Sequence, residues 1–224
     1  MSAPQCIGII LDGNRRWAKE HDLPTLQGHT KGYENVLACM RWVRDRGVKH
    51  LVVYAFSTEN WKRTEEEVSY LMEIAHQALL HDAPKLSQEG FSIRFVGDRS
   101  LLKIDMQESM RRVEEDTSAS DALTLWVCLS YGARAEIVAA AHAMVQKGLV
   151  ITEEALREHF WSADMPDPDL IIRTGGEKRL SNFLLWQAAY SELFFIEPRW
   201  PDFTEEHLKS ILEEYAVRVR RFGV

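Results

Sequence analysis

The sequence predicts an α/β fold in which helices flank a central, mostly parallel sheet of six strands. Short apolar runs typical of buried strands alternate along the chain with segments whose apolar residues follow helical spacing. This alternation is typical of parallel sheets with helical crossovers. The chain has 224 residues, 46% of them hydrophobic, which is enough for a sizeable core. We therefore assign residues 1–224 to a single domain.

Six segments are predicted to be strands because they are short, apolar and bounded by turn-forming residues. The predicted strands span residues 6–11, 51–56, 91–96, 123–129, 170–172 and 193–196.

Helices are predicted wherever apolar residues recur three or four positions apart. The first lies around residues 36–43 and is closed by Gly47, and the second begins at a capping box of Thr64 and Glu67 and ends before Gly90. The remaining helices are predicted at residues 103–116, 133–146, 152–160 and 204–221, the last two capped by threonine.

Composition and charge narrow the function classes. The net charge is −7, which gives no support for nucleic-acid binding. Cys6, Cys39 and Cys128 lie far apart in apolar segments and are interpreted as reduced core thiols of a cytoplasmic protein, not as disulfides or zinc ligands. We expect neither a signal peptide nor a transmembrane segment, because no apolar run approaches the roughly 20 residues of a membrane span.

Polar clusters follow three of the predicted strands. They occupy residues 12–16, 57–61 and 173–176. Ligands of parallel α/β sheets gather beyond the carboxyl ends of the strands, so the coincidence favours one shared site over three unrelated turns.

Residues 170–182 carry the strongest indication of an anion site. Arg173 and Arg179 lie on either side of adjacent glycines, and Ser181 follows. Two arginines at this spacing can bind the oxygens of one phosphate or diphosphate, and glycines let backbone N–H groups approach an anion. The alternative is a strand followed by a Gly-Gly turn with solvated charges. Neither nucleotide-binding fingerprint, G-x-G-x-x-G or G-x-x-x-x-G-K-[ST], is present.

Asp12 is the candidate metal ligand. A carboxylate at a strand end beside arginines suits a hard cation that bridges to diphosphate oxygens, although an Asp-Gly turn is the simpler alternative. The sequence after Asp12 is Gly-Asn, not a second aspartate two positions on, which disfavours an aspartyl-phosphate phosphatase. His29 could donate to a phosphate, but a lone histidine is more often structural.

These residues resemble the motifs of the cis-prenyltransferases, and most closely those of the bacterial undecaprenyl diphosphate synthases. The similarity runs in family order from the first strand to the C-terminus. The matching segments are residues 8–18, 28–29, 54–63, 172–177, 181–187, 190–195, 200–203 and 220–223.

The resemblance implies a Mg²⁺-dependent transferase. It makes Asp12 the catalytic and metal-binding aspartate and Glu192 a second metal ligand. It places Asn60 near the reacting carbons, where it helps to remove a proton, and it implies a hydrophobic product tunnel.

The resemblance also implies two diphosphate sites. The allylic diphosphate would bind near the first strand and His29, isopentenyl diphosphate near Arg173, and a C-terminal motif would reach the partner subunit's site. The expected substrate-binding residues are Gly13, Asn14, Arg15, Arg16, Trp17, His29, Ser57, Thr58, Glu59, Trp61, Arg63, Arg173, Arg179, Leu180, Ser181, Arg221 and Gly223.

The leading hypothesis is therefore a homodimeric cis-prenyltransferase that condenses isopentenyl diphosphate with an allylic diphosphate. The product would be a long (Z)-polyprenyl diphosphate, a carrier-lipid precursor that gives the protein peripheral membrane contact. One alternative is a short-chain or irregular prenyl diphosphate synthase, suggested by Thr25 and by a bulky Trp126 that could narrow the tunnel. Another is a non-catalytic partner subunit, which the presence of Asp12 and Asn60 argues against. Lys178 also departs from the family pattern, beside the expected metal site.

Overall fold

A sheet of six strands forms the centre of the molecule. The computed structural model describes residues 3–218. Neighbouring strands follow the order β3-β4-β2-β1-β5-β6, and all five pairings are parallel. The predicted α/β class is confirmed, with a sheet that is parallel throughout. The strands are β1 (Cys6–Ile10), β2 (His50–Ser57), β3 (Phe91–Val96), β4 (Leu123–Tyr131), β5 (Leu170–Arg173) and β6 (Glu192–Phe195).

Helices cover both faces of this sheet. One π-helical turn, Ala78–Asp82, joins α3 to α4. Pro84 lies in the first turn of α4 and has no N–H to donate, which interrupts the α-helical hydrogen bonds at that point. The α-helices are α1 (Asn14–Glu20), α2 (Thr25–Asp45), α3 (Glu65–Gln77), α4 (Ala83–Gln88), α5 (Ile104–Asp116), α6 (Ala133–Gln146), α7 (Glu153–Glu158) and α8 (Glu205–Val217).

The two faces of the sheet bury different side chains. Alternation along β4 sends Leu125 to the face covered by α2, α3, α4, α5 and α8, whereas Trp126 and Cys128 point to the opposite face. On that second face they pack with residues of the 161–188 segment such as Met165 and Phe183. The cavity described below lies on the first face.

Most predicted elements match the structure to within two residues at each end, but two differ. Helix α1 was not predicted, and α2 begins at Thr25, well before the first apolar repeat. Gly28 and Gly32 interrupt the apolar pattern of α2 because α1 crosses there, and a Cβ at either position would collide with Asn14. Helix α8 spans Glu205–Val217, and its predicted end at residue 221 lies outside the described residues.

Three predicted N-caps are confirmed, but the capping box predicted at Thr64 forms only in part, because the Glu67 carboxylate contacts His29 and Arg63 instead of the Thr64 backbone. The hydroxyls of Thr64, Thr152 and Thr204 each accept a hydrogen bond from the backbone N–H three residues later. Within residues 3–218 no helix combines the length and apolarity needed to cross a bilayer.

Candidate active site

The sheet places β2, β1 and β5 side by side. Since all three are parallel, their carboxyl ends lie on the same side of the molecule. The polar clusters at 12–16, 57–61 and 173–176 follow these three strands directly. Because the strands are parallel, the clusters meet at one place, as the sequence predicts.

An ion pair between Asp12 and Arg173 lies at the centre of this site. Arg173 Nη2 donates to Asp12 Oδ2 over 2.8 Å, and Arg16 Nη2 donates to Oδ1 over 3.3 Å. The Arg173 side chain is only 4% exposed. Its Nη1 donates to Ser181 Oγ over 2.8 Å and to the main-chain oxygen of Arg179. Arg173 therefore ties the end of β1 to the 179–181 loop.

One donor of Arg173 is unused. Its buried Nε has no hydrogen-bond partner among the residues described. A buried guanidinium that keeps a free N–H suits an anionic ligand, because such donors are otherwise almost always satisfied.

The adjacent glycines do not form an open anion cradle. The N–H of Gly175 donates to Pro198 O over 2.7 Å and that of Gly176 donates to Ile196 O over 2.9 Å. Both residues have positive φ, and a Cβ on Gly175 would lie 2.7 Å from Arg16 Nη2. The glycines let the loop pass close beneath Arg16, so the interpretation of their N–H groups as anion donors was wrong.

A buried carboxylate, Glu67, forms a second centre at the edge of the site. Its Oε1 lies 3.1 Å from His29 Nε2 and 2.9 Å from Arg63 Nη1. Arg15 Nη1 approaches Oε2 at 3.7 Å. Burial lowers the pKa of His29 below its usual value, since desolvation outweighs the opposing effect of Glu67. His29 is therefore neutral near pH 7 in the free protein.

The turn after β2 holds Asn60 in place. Asn60 Oδ1 accepts the Ser57 N–H over 3.1 Å. Glu59 accepts hydrogen bonds from Thr58 Oγ1 and from Asn182 Nδ2, which links this turn to the 181–182 loop.

These residues surround the mouth of a cavity of about 1160 Å³. Below the mouth the cavity runs between the sheet and helices α2, α3 and α4, and its walls there are apolar. Strands β2, β3 and β4 contribute one wall through Val53, Ile93, Phe95, Leu125 and Val127. The expected site residues that line the cavity are Asp12, Gly13, Asn14, Arg15, Arg16, His29, Ser57, Glu59, Asn60, Arg63, Arg173 and Ser181.

Other expected residues point elsewhere. Trp17 Nε1 donates to Asp202 and its ring stacks on His21, while Trp61 Nε1 donates to Ser130 Oγ. Leu180 packs on the second face of the sheet. Three further residues, Thr58, Arg179 and Glu192, do not line the cavity.

Two sequence interpretations need correction. Trp126 lies on the second face, where its Nε1 donates to His50 Nδ1 over 3.3 Å, so it does not narrow the cavity. Glu192 lies level with Ile7 across the sheet, roughly 10 Å along the strands from the end of β1 at Ile10 at ~3.3 Å per residue, and two strands away from β1. It pairs with Arg218 at 2.6 Å, so Asp12 and Glu192 of one chain cannot hold the same ion. Arg221 and Gly223 lie outside the described residues.

Sequence reasoning missed Glu67 and Glu177. Glu67 was interpreted only as a capping partner, although its position one turn after Arg63 is the spacing of a helical ion pair. Glu177 lies 3.6 Å from Arg16 and also pairs with Arg179. Both carboxylates compensate the arginines at the cavity mouth.

The protein groups at this site can hold Mg²⁺ only together with ligands from the substrate or from water. Residues 3–218 contain no group of three or more His, Cys, Asp or Glu that could hold a metal ion by itself. Mg²⁺ is commonly held by one or two carboxylates, with substrate phosphates and water completing the octahedron. Asp12, which lines the mouth among arginines, fits the role of that carboxylate.

Comparisons with known proteins agree with the fold and the motifs. The family model described as putative undecaprenyl diphosphate synthase matches residues 10–223. An isoprenyl transferase of Thermotoga maritima is 43% identical over 228 residues, covering 100% of this chain and 98% of its own. One from Agrobacterium fabrum is 44% identical over 229 residues, covering 99% and 93%.

Solved structures give the same result. Lavandulyl diphosphate synthase from Lavandula x intermedia, in complex with dimethylallyl diphosphate, superposes with a TM-score of 0.93 at 33% identity and covers 99% of both chains. A probable undecaprenyl diphosphate synthase from Campylobacter jejuni gives a TM-score of 0.85 at 34% identity over 100% of both chains. The family match over nearly the whole chain and the full-length relatives lead to one conclusion: this chain belongs to the undecaprenyl diphosphate synthase family of isoprenyl transferases, the cis-prenyltransferases.

Proposed function

We propose that this protein is a Mg²⁺-dependent cis-prenyltransferase that condenses isopentenyl diphosphate with an allylic diphosphate. Residues 1–224 act as one catalytic domain, and the product is a (Z)-polyprenyl diphosphate. The observation that carries the proposal is one continuous cavity with arginines and Asp12 at its mouth and apolar walls below. A diphosphate with a hydrocarbon tail has the same division between charge and apolar surface.

The size of the cavity favours a long product. Its volume of about 1160 Å³ exceeds the roughly 300–1,000 Å³ of most small-molecule pockets. Each buried methylene of a growing chain gains about 0.8 kcal/mol, so apolar walls stabilise elongation until the space is filled. We therefore infer a carrier-lipid precursor as the product.

The isopentenyl diphosphate site is assigned to Arg173, Arg179 and Ser181. The unused Nε of Arg173 supports this assignment, and Arg179 presents a mostly exposed guanidinium nearby. Arg173 holds Asp12 and the 179–181 loop together, so the carboxylate and the serine hydroxyl keep a fixed separation. Charge-assisted donors in such an arrangement bind diphosphate oxygens well.

The allylic diphosphate site is assigned to Arg15, Arg16, His29 and Arg63, with Gly13 and Asn14 beside them. These groups stabilise the negative charge that develops on departing pyrophosphate. The allylic carbon then lies over the apolar part of the cavity, which excludes water from a carbocation-like centre.

Ser57 and Asn60 are assigned to the reacting carbons. The isopentenyl double bond attacks the allylic carbon, pyrophosphate leaves, and the adduct loses one proton. The departing pyrophosphate accepts that proton, because an amide oxygen is too weakly basic to keep it. Asn60 Oδ1, which already accepts the Ser57 N–H, has a second lone pair that helps to direct the proton there.

Mg²⁺ is assigned to Asp12 together with diphosphate oxygens. When bound, the ion neutralises charge on the diphosphate that leaves. We include a homodimer in the proposal, because the expected ligand Glu192 lies too far from Asp12 within one chain. Contact with a membrane through the lipid product is also part of the proposal.

A second candidate function is a short-chain or irregular coupling reaction. The observation that favours it is the high structural similarity to lavandulyl diphosphate synthase, with a TM-score of 0.93. Against it stand the cavity volume and the full-length isoprenyl transferases at higher identity.

One assay separates these functions. The protein is incubated with labelled isopentenyl diphosphate and with C5, C10 or C15 allylic diphosphates, with Mg²⁺ or with EDTA, and product length is measured. The leading proposal expects several condensations that need Mg²⁺ and disappear in Asp12→Asn. A single condensation would establish the short-chain alternative, and coupling of two allylic molecules the irregular one. No condensation with any primer would overturn both.

A further inference from the structure

Glu67 has an environment that a capping residue does not need. Its side chain is 10% exposed, and it is the meeting point of His29, Arg63 and Arg15. All three of these groups line the cavity mouth. Breaking a buried ion pair is strongly destabilising, so Glu67 keeps the buried His29 and the partly buried Arg63 in place, while the more exposed Arg15 contacts it at longer range.

We propose that Glu67 is a positioning residue that fixes the proton of His29 on Nε2 and holds Arg63 and Arg15 toward the allylic diphosphate. This inference rests on the proposed function, because it takes the ligand of these cations to be a diphosphate. Glu67 itself does not line the cavity, so it acts through the three groups that it binds.

The consequence for His29 follows from its two nitrogens. Glu67 accepts a hydrogen bond, so in the neutral ring the proton resides on Nε2 and Nδ1 has only a lone pair. Nδ1 has no hydrogen bond to any residue between 3 and 218 in this structure. A phosphate oxygen is an acceptor and gains nothing from that lone pair. His29 can therefore donate to a diphosphate only after Nδ1 also takes up a proton.

The charges around His29 determine when this happens. Glu67 faces the ring from α3, Arg63 from the segment before α3, and Arg15 from α1. In the free protein, burial and the two arginines keep the ring neutral. A bound diphosphate brings negative charge that offsets the arginines, and Glu67 on the opposite side of the ring then stabilises the imidazolium. Binding is thus coupled to uptake of one proton.

The coupling gives a pH dependence of defined sign. The pKa of His29 is lowered in the free protein and higher with diphosphate bound. Affinity for diphosphate is constant below the free-state pKa, then weakens by up to ten-fold per pH unit until the bound-state pKa is reached.

The test uses Glu67→Gln, which keeps the side-chain shape and removes the charge. Proton uptake is measured by titrating the protein with inorganic diphosphate in EDTA, in buffers of different ionisation enthalpy. The His29→Gln variant is the control, because its proton uptake comes only from the ligand and from groups other than His29. The parent is expected to take up about one proton more than His29→Gln, whereas Glu67→Gln takes up no more than His29→Gln does.

Steady-state kinetics give a second readout. Glu67→Gln should raise KM for the allylic primer ten-fold or more, with KM for isopentenyl diphosphate nearly unchanged, and Glu67→Asp should restore part of the loss. Glu66→Gln is the matched control, since Glu66 is an exposed acid in the same first turn of α3 and should behave as the parent.

A direct measurement does not depend on the variants folding. Long-range ¹H–¹⁵N spectra of the histidine rings in the parent should give an Nε2–H signature for His29 alone and a doubly protonated ring with diphosphate. An Nδ1–H tautomer, or unchanged uptake and kinetics in Glu67→Gln, would overturn the inference while leaving the prenyltransferase proposal intact. If the parent neither binds diphosphate nor condenses prenyl substrates, both proposals fail together.

Discussion

Product length should respond to Leu125 and not to its neighbour Trp126. The two side chains are similarly buried, at 5% and 8% exposure, but they point to opposite faces of the sheet. Leu125 lines the cavity and is level with Ile7, roughly 10 Å at ~3.3 Å per residue before the end of β1 at Ile10, where the polar mouth begins. Leu125→Ala should therefore lengthen the product, and Trp126→Ala should not.

The expected size of the effect can be worked out from burial. One further isoprene unit has five carbons, which gain about 4 kcal/mol at ~0.8 kcal/mol each if the cavity admits them. That difference corresponds to nearly a thousand-fold in the choice between another condensation and release. Leu→Ala frees the space of three carbons, so we expect a shift of about one unit and not a broad redistribution.

The assay is mass analysis of products from one fixed allylic primer. Core substitutions of this kind cost about 2–5 kcal/mol of unfolding free energy, so both variants are first compared by thermal unfolding and assayed well below their melting temperatures. Trp126→Phe replaces Trp126→Ala if the latter does not fold. A longer product from the Trp126 variant, with no change from Leu125→Ala, would refute the assignment of this cavity to the growing chain.

Three further outcomes are expected. Asp12→Ala should reduce turnover at least a thousand-fold while the circular dichroism spectrum stays that of a folded protein, because a metal ligand commonly contributes several kcal/mol to the transition state. Its melting temperature should fall, since Arg173 is left buried without its carboxylate partner. Activity within a few-fold of the parent would exclude the metal role. Arg179→Ala should raise KM for isopentenyl diphosphate about ten-fold at unchanged melting temperature. Arg173→Ala should in addition lower kcat and the melting temperature, because it leaves Asp12 and Ser181 without the donor that they share. Identical effects of the two substitutions would contradict these separate roles. Ala55→Leu, which adds bulk to the cavity wall, should shorten the product in the same mass analysis, and an unchanged length with retained activity would remove Ala55 from the product path.

The sequence predicted those elements whose signals are local. Strand β3 matches its predicted bounds because an alternating apolar pattern ends at a glycine on each side. Helix α6 matches because an alanine-rich run lies between Gly132 and Gly148. Helix α1 was missed because it is seven residues long and follows a left-handed Gly13, so it has neither an N-cap side chain nor a full apolar stripe. The π turn at Ala78–Asp82 leaves no trace in hydrophobic spacing, since it changes the hydrogen bonds and not the buried face.

The errors at the site have a different origin. A strand residue can point to either face, and the family resemblance gives its position along the chain without giving that direction. Trp126 was therefore assigned to the tunnel although alternation along β4 places it with Cys128. Glu192 matches a metal-binding position of the family, but the strand register shows that within one chain it lies at the end of the strands opposite to Asp12.

The arginines at the mouth also explain how an acidic protein can hold an anionic substrate. In the described structure five guanidinium groups are within salt-bridge distance of only three carboxylates at this site, which leaves a local positive excess in a chain of net charge −7. Each carboxylate contacts at least two of the arginines. The least exposed of these, Arg173 and Arg63, need not be ordered anew when diphosphate arrives, which lowers the cost of binding. Removing one carboxylate should then weaken diphosphate binding even though it makes the mouth more positive, because the arginines lose the partner that keeps their side chains in place. The groups concerned are Arg15, Arg16, Arg63, Arg173 and Arg179 with Asp12, Glu67 and Glu177.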